Sequence, residues 1–202
     1  MSQGTLFIIS APSGAGKTSL VAELLSRNTN IEASISHTTR PRRPSEKNGV
    51  NYHFINKSNF LQMIDEQIFL EHALVFSHFY GTSKTWVIET LAQGINVILE
   101  IDWQGAKQAR AKFPESKSIF ILPPSIQALK DRLNARGQDD PDVIVKRISM
   151  AREEMTHYSD ADYVIVNDDF NVALEQLESI IYKQCPSNVK SLDAALINEL
   201  LS

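Results

Sequence analysis

The run TLFIIS-APSGAGKT-SLVAELLSR, residues 5–27, constrains the fold more than any other. Thr5–Ser10 is short, apolar and β-prone, the pattern of a buried parallel strand. A glycine-rich turn follows. Then Leu20, Val21, Leu24 and Leu25 recur at helical spacing. The result is a strand–loop–helix unit. Ile95–Asp102, Lys117–Pro124 and Ala161–Asp168 repeat the pattern, each an apolar run followed by helical periodicity. Strands alternating with helices imply an α/β fold, a central parallel sheet flanked by helices.

Two stretches break the rhythm. Residues 36–90 carry YHFI and EHALVFSHFYGTS around one helical segment, KSNFLQMIDEQ, and read as a small inserted α+β domain. Asn134–Asp142, NARGQDDPD, is polar and turn-rich between two basic helical segments, and reads as a lid of about residues 134–145. The expected organisation is a core of 1–35 and 91–202 with 36–90 inserted. From Val172 the chain reads as helical, broken at Cys185–Asn188, with a last helix in LDAALINELL. At 202 residues and a formal charge of −4, the chain is long enough for a sizeable core and is not a basic nucleic-acid binder. Any anion site must come from local positive charge. The single cysteine, Cys185, rules out an intramolecular disulfide and fits a reducing compartment. No stretch reaches membrane length, and MSQGTLFIIS has no basic leader. A cytoplasmic protein is expected.

The turn fits the phosphate-cradling pattern G-x-x-x-x-G-K-S/T, with Ala11 in place of the first glycine. Such a loop works through backbone N–H groups converging on anionic oxygens at a helix N-terminus. Gly14 and Gly16 allow the tight turns, Lys17 supplies a cation and Thr18 a hydroxyl for Mg²⁺. Ala11 ends the strand, where a small residue suffices if its φ is negative. The ATP-binding stretch is expected to be Ser13, Gly14, Ala15, Gly16, Lys17, Thr18 and Ser19. EIDWQG ends a strand with two carboxylates, Glu100 and Asp102, and Glu100 is expected to hold Mg²⁺ through water. DWQG also fits the D-x-x-G of GTP-hydrolysing switches, but the companion N-K-x-D is lacking: NKSN at residues 56–59 has no aspartate and comes too early.

A second signal is SISHTTRPRRPSEKNGVNYHF, residues 34–54. Arg40, Arg42 and Arg43 crowd four positions of an acidic chain, with the hydroxyls of Ser36 and Tyr52 nearby. Guanidinium groups bind phosphate oxygens in bidentate fashion. One phosphate site for a donor and one for an acceptor imply phosphoryl transfer.

In order and at the expected spacing, SAPSGAGKTS, SISHTTR, NYHF, FLEHALVF, YGTS, EIDWQGA, IFILPPS, RLNARGQ and VIVNDD resemble the guanylate kinase family from Thr5 to about Ile181. The resemblance implies a P-loop kinase with a core domain, an inserted GMP-binding domain and a helical lid. It implies ATP and GMP as substrates and ADP and GDP as products, with Mg²⁺. Residue by residue, it places the GMP phosphate on Ser36, Arg40, Arg43, Tyr52 and Tyr80. It places guanine on Glu71, Thr82 and Asp102. Arg132, Arg136 and Arg147 become lid arginines that join Lys17 and Arg40 in catalysis. The chemistry agrees: guanine offers N1–H and N2–H₂ on one edge, which a carboxylate accepts, whereas adenine offers the opposite pattern.

Three positions depart from the family's usual pattern: Glu100 for aspartate, Ser45 for glycine, and Phe79 for tyrosine. None removes a charge that phosphoryl transfer needs. The five histidines show no metal-ligand spacing and, like Trp86 and Trp103, read as structural. A non-catalytic scaffold, the rival class, is disfavoured by the intact Gly14, Gly16, Lys17 and Thr18; a kinase for another monophosphate is disfavoured by Glu71, Thr82 and Asp102. No nucleic-acid polymer or membrane is expected as partner, and the resemblance allows a homo-oligomer.

Overall fold

A computed structural model describes residues 3–135, 141–183 and 193–202, with side chains from 141–146 and 183 outside the description. The chain divides into two compact units, Met1–Ile8 with Asn30–Ser116, and Ile9–Thr29 with Lys117–Ser202. A five-stranded sheet runs in the order β2(Ile31–Ala33), β7(Asn96–Glu100), β1(Leu6–Ser10), β8(Lys117–Leu122), β9(Tyr163–Val166). β2 pairs with β7, and β8 with β9, both in parallel. The four apolar runs expected as strands are thus β1, β7, β8 and β9. The short β2, IEA, carries no signal in the sequence, because three residues with an exposed glutamate give no period to detect.

In the first unit, a second sheet has the order β4(His53–Phe54), β3(His37–Thr38), β6(His78–Ser83), β5(Phe69–Val75). β5 and β6 form an antiparallel hairpin whose tip, Phe76 and Ser77, has positive φ. Helices α2(Lys57–Asp65), α3(Lys84–Ala92) and α4(Trp103–Lys112) complete the unit. Residues 36–90 therefore hold two helices where one is expected. TWVIET is β-prone, yet Ser83 caps the Trp86 N–H at 3.4 Å and Val87, Thr90 and Leu91 are buried at helical spacing. The core joins Leu6, Ile8, Leu70, Val87, Leu91, Val97, Leu99, Ile101 and Ala109, with Trp86 packed against it. Phe60 stacks on Phe69 and on Phe79, with centroids 4.5 and 5.4 Å apart.

The second unit carries α1(Lys17–Arg27), α5(Ile126–Ala135), α6(Pro141–Met155), a 3-10 turn at Thr156–Asp160, α7(Phe170–Lys183) and α8(Ala194–Leu201). Buried Leu20, Val21 and Leu24 form the stripe by which α1 meets α7. Met155 and Leu200 close a core with Phe120, Leu122 and Ile126. Asn134 and Ala135 end α5, and residues 141–145 open α6, so the described ends of the expected lid are helical. Cys185 and the expected break beside it lie outside the described residues. No helix among those described is long and apolar enough to cross a membrane.

Candidate active site

The phosphate loop leaves β1 and enters α1 through Gly16, which caps the helix at φ 95° with no side-chain hydrogen bond. Gly14 has φ 97°, so both glycines sit where only that residue is unstrained. Ala11 is absent from the residues with positive φ, which is why it can replace glycine at the strand exit. The first-turn N–H groups of α1 are thus not spent on a capping side chain, and they carry the positive end of the helix dipole. Thr18 and Ser19 are exposed on that turn, and Lys17 is half-buried.

The loop is fixed from behind. Ala15 is fully buried, and its carbonyl accepts from Asn167 Nδ2 at 2.7 Å and from Arg132 Nη1 at 3.4 Å. Arg132 Nη2 also donates to the Asn167 carbonyl at 2.8 Å. A Cβ on Gly16 would collide with the Asn167 amide. Arg132 therefore braces the loop it was expected to assist. The Ser13 N–H donates to Glu154 Oε2 on α6 at 3.3 Å. Arg147 is half-buried on α6, and Arg136 lies outside the described residues.

In the first unit, Thr38 and Thr39 tie the arginine loop to β6. Thr38 Oγ1 donates to the Phe79 carbonyl at 3.0 Å and accepts the Arg40 N–H at 3.1 Å, while Thr39 Oγ1 accepts the Phe79 N–H at 2.9 Å. The Arg40 guanidinium then lies 5.4 Å from the centre of the Tyr52 ring, and Tyr52 meets Tyr80 edge-on at 5.9 Å. Arg40 donates to Glu46 Oε1 at 2.5 Å, and Glu46 Oε2 accepts the Arg43 N–H at 2.8 Å. Burial would lower the pKa of Arg40, but Glu46 and Tyr80 outweigh it and raise it. Burial raises that of Tyr52, helped by Tyr80 and Glu100, so its hydroxyl stays a donor. Ser36 is buried one residue before β3, its carbonyl accepting the His53 N–H. Arg40, Arg43, Tyr52 and Tyr80 thus gather at one place, with Glu100 close enough to act on Tyr52.

Two residues along β6 lies a buried carboxylate. Glu71 is 2% exposed and is the cross-strand partner of Thr82, which is fully buried. Alternation along β6 puts Tyr80 and Thr82 on one sheet face, about 7 Å apart at ~3.4 Å per residue. Burial pushes the Glu71 carboxyl up to about 7, with the Asp102 charge adding to the rise and Thr82 and Lys112 opposing it. Thr82 is thus close enough to act on the carboxyl, yet no bond of full hydrogen-bond geometry reaches Glu71 Oε1 or Thr82 Oγ1 among the described residues. Asp102 caps α4: Oδ1 accepts the Gly105 N–H at 2.9 Å and Oδ2 accepts from Gln104 at 3.1 Å. A Cβ on Gly105 would run into Glu71 Oε2. That glycine is what lets the carboxylate and α4 share the space.

The model of the family described as "Guanylate kinase" matches residues 3–184. The chain belongs to the guanylate kinase family. A guanylate kinase of Saccharophagus degradans is 54% identical, with 98% of each chain covered. One of Yersinia pestis is 52% identical over the full length of both. The crystal structure of guanylate kinase from Anaplasma phagocytophilum matches with a TM-score of 0.77 at 32% identity, covering 93% of this chain and 88% of that one. Against this family background, the residues that sequence reading left without a role are Glu46, Gly105, Gln108 and Asn167. Gly105 had a signal, the D-x-x-G of DWQG, whose reason is the Glu71 carboxylate beside it. Asn167 sits in the VIVNDD stretch that carries the resemblance. Glu46 and Gln108 gave none.

Proposed function

We propose that the chain is an ATP:GMP phosphotransferase in which Glu71, Thr82 and Asp102 read guanine. Arg40, Arg43, Tyr52, Tyr80 and Ser36 hold its 5′-phosphate, and the loop Ser13–Ser19 holds ATP. The observation that carries it is the buried Glu71 carboxyl, whose Oε1 has no hydrogen-bond partner among the described residues, on the same sheet face as the arginine–tyrosine cluster. A base that brings two N–H donors to that carboxyl satisfies it, and guanine does so. Adenine brings a ring-nitrogen acceptor and a C–H there, so the ionised carboxylate would be left buried and unpaired and only the neutral acid could meet the base, through one bond. The spacing along β6 suits a nucleoside monophosphate.

In the reaction, a GMP phosphate oxygen bonds to the γ-phosphorus as the bond to the β–γ bridging oxygen breaks, releasing ADP. The attacking oxygen is already anionic, so positioning and charge stabilisation do the work and no strong base is needed. Lys17, Arg40, Arg132, Arg136 and Arg147 are the assigned cations. For Arg132 this adds a contact with phosphate to its hold on the loop. Mg²⁺ neutralises the phosphate charge when bound with ATP. The exposed Thr18 hydroxyl at the uncapped start of α1 is a hard oxygen donor that fits this ion, and Glu100 is the carboxylate assigned to its water shell. Residues 36–90 serve as the GMP-binding domain, 1–35 and 91–202 as the core, and 134–145 as the lid. The reaction is placed in the cytoplasm.

A coupled assay of ADP formation with GMP, AMP, UMP and CMP tests the reading. A kcat/KM for GMP on the order of 10⁴ above AMP is expected. Equal use of AMP would remove the guanine assignment.

A further inference from the structure

β5 is the last strand of its sheet, so one side of its backbone has no neighbouring strand. Helix α4 fills that side. The Gln108 side chain accepts the His72 N–H at 3.2 Å and donates to the His72 carbonyl at 2.8 Å, as a neighbouring strand would. One turn on, Lys112 Nζ donates to the Leu70 carbonyl at 2.5 Å. Leu70 and His72 are two apart and present the same backbone edge; Glu71, between them, faces β6 through Thr82. Gly105, Gln108 and Lys112 follow at three and four residues, so one face of α4 makes all these contacts.

We propose that Gln108, seconded by Lys112, is a positioning residue for guanine recognition: Gln108 fixes the backbone after Glu71 at His72, Lys112 fixes it before Glu71 at Leu70, and together they aim the carboxylate. The inference rests on the assignment of Glu71 to guanine. A buried acceptor must hold its place to meet two donors at once, and a strand fixed along one edge only would let it drift. Lys112 adds a second effect, because its charge favours the ionised carboxylate.

The test is steady-state kinetics on the full chain with Gln108→Met, Lys112→Met and Glu71→Gln. Methionine keeps the length of glutamine and loses both bonds. Gln108→Met should raise the KM for GMP roughly tenfold, the scale of one or two hydrogen bonds, and leave the KM for ATP within about twofold. Lys112→Met should move the pH profile of kcat/KM for GMP to higher pH, since the carboxylate loses a cation. GMP's own ionisation is common to both proteins and drops out of the comparison. If Glu71→Gln raises the KM for GMP while Gln108→Met leaves it unchanged, the positioning role is refuted. An equal rise in both KM values would refute it too, because that is what general loosening gives. If Glu71→Gln itself has no effect on GMP, the guanine assignment has failed instead. Should Gln108→Met not fold, the KM values of Lys112→Met decide, since Lys112 holds the Leu70 carbonyl: a KM for GMP left unchanged while Glu71→Gln raises it overturns the proposal.

Discussion

Replacing Glu71 by glutamine should stabilise the protein without nucleotide and weaken it as an enzyme. The carboxyl is 2% exposed, so solvent screens it little. Its pKa stands at about 7 in the folded chain against an ordinary 4.5. At about 1.36 kcal/mol per unit, that rise means some ~3 kcal/mol of folding stability tied to the neutral form. The sign follows from the raised value: the contribution is whole below about pH 4.5 and is lost as pH rises through about 7. Glutamine has nearly the same shape and no charge to bury. At pH 5 the two proteins should melt close together; at pH 8 Glu71→Gln should melt higher, by roughly 5–10 °C for a chain of this length. Other titrating groups are shared, so they cancel in the difference. Thermal melts at both pH values, with no nucleotide present, measure it. Saturating GMP should then reverse the order at pH 8, since only the carboxylate of the parent accepts from both guanine donors. A pH-independent difference between the two melts would refute the reasoning, whatever its size.

Binding of GMP at pH 7 should release up to about half a proton from Glu71, because guanine favours the ionised form; titration calorimetry in buffers of different ionisation enthalpy reads this, and Glu71→Gln should abolish the release. Gly105→Ala should lower GMP affinity by tenfold or more, since the new methyl takes the space of the Glu71 carboxylate, with ATP affinity little changed in the same binding assays. Lys17→Ala should cut turnover by roughly 10³-fold while far-ultraviolet circular dichroism stays as in the parent; near-normal turnover would remove the phosphate-loop assignment.

The features legible in the sequence are those written in local patterns. β1, the loop and α1 follow one another within 23 residues, and their period and glycines need no distant partner to be read. The arginine cluster was equally local. The missing pieces are relations between distant positions. α3 was hidden by the β-prone TWVIET and shows itself only through the leucine and valine it buries. Asn167 acts on Ala15 across 152 positions, and Gln108 on His72 across 36, so no window of sequence contains either pair. Glu46 is one acidic residue in a basic loop until its bonds to Arg40 and Arg43 are seen. Arg132 shows the converse: its lid role came from resemblance, and the structure adds a bracing contact with Ala15 and Asn167 that no motif encodes.

The side chains that line the outer edge of β5 also bear on how the protein survives in solution. An unpaired strand edge is a template for other chains, and proteins blunt it with charges, bulges or a covering element. Here the blunting agents are Gln108 and Lys112 on α4, and a bulge lies between Phe69 and Glu71. Any change that frees α4 from β5 therefore uncovers a strand carrying Phe69 and Leu70 as well as the Glu71 carboxylate. Loss of substrate affinity and loss of solubility should thus arrive together in such variants, and a low yield of protein would report on the same contact as a raised KM.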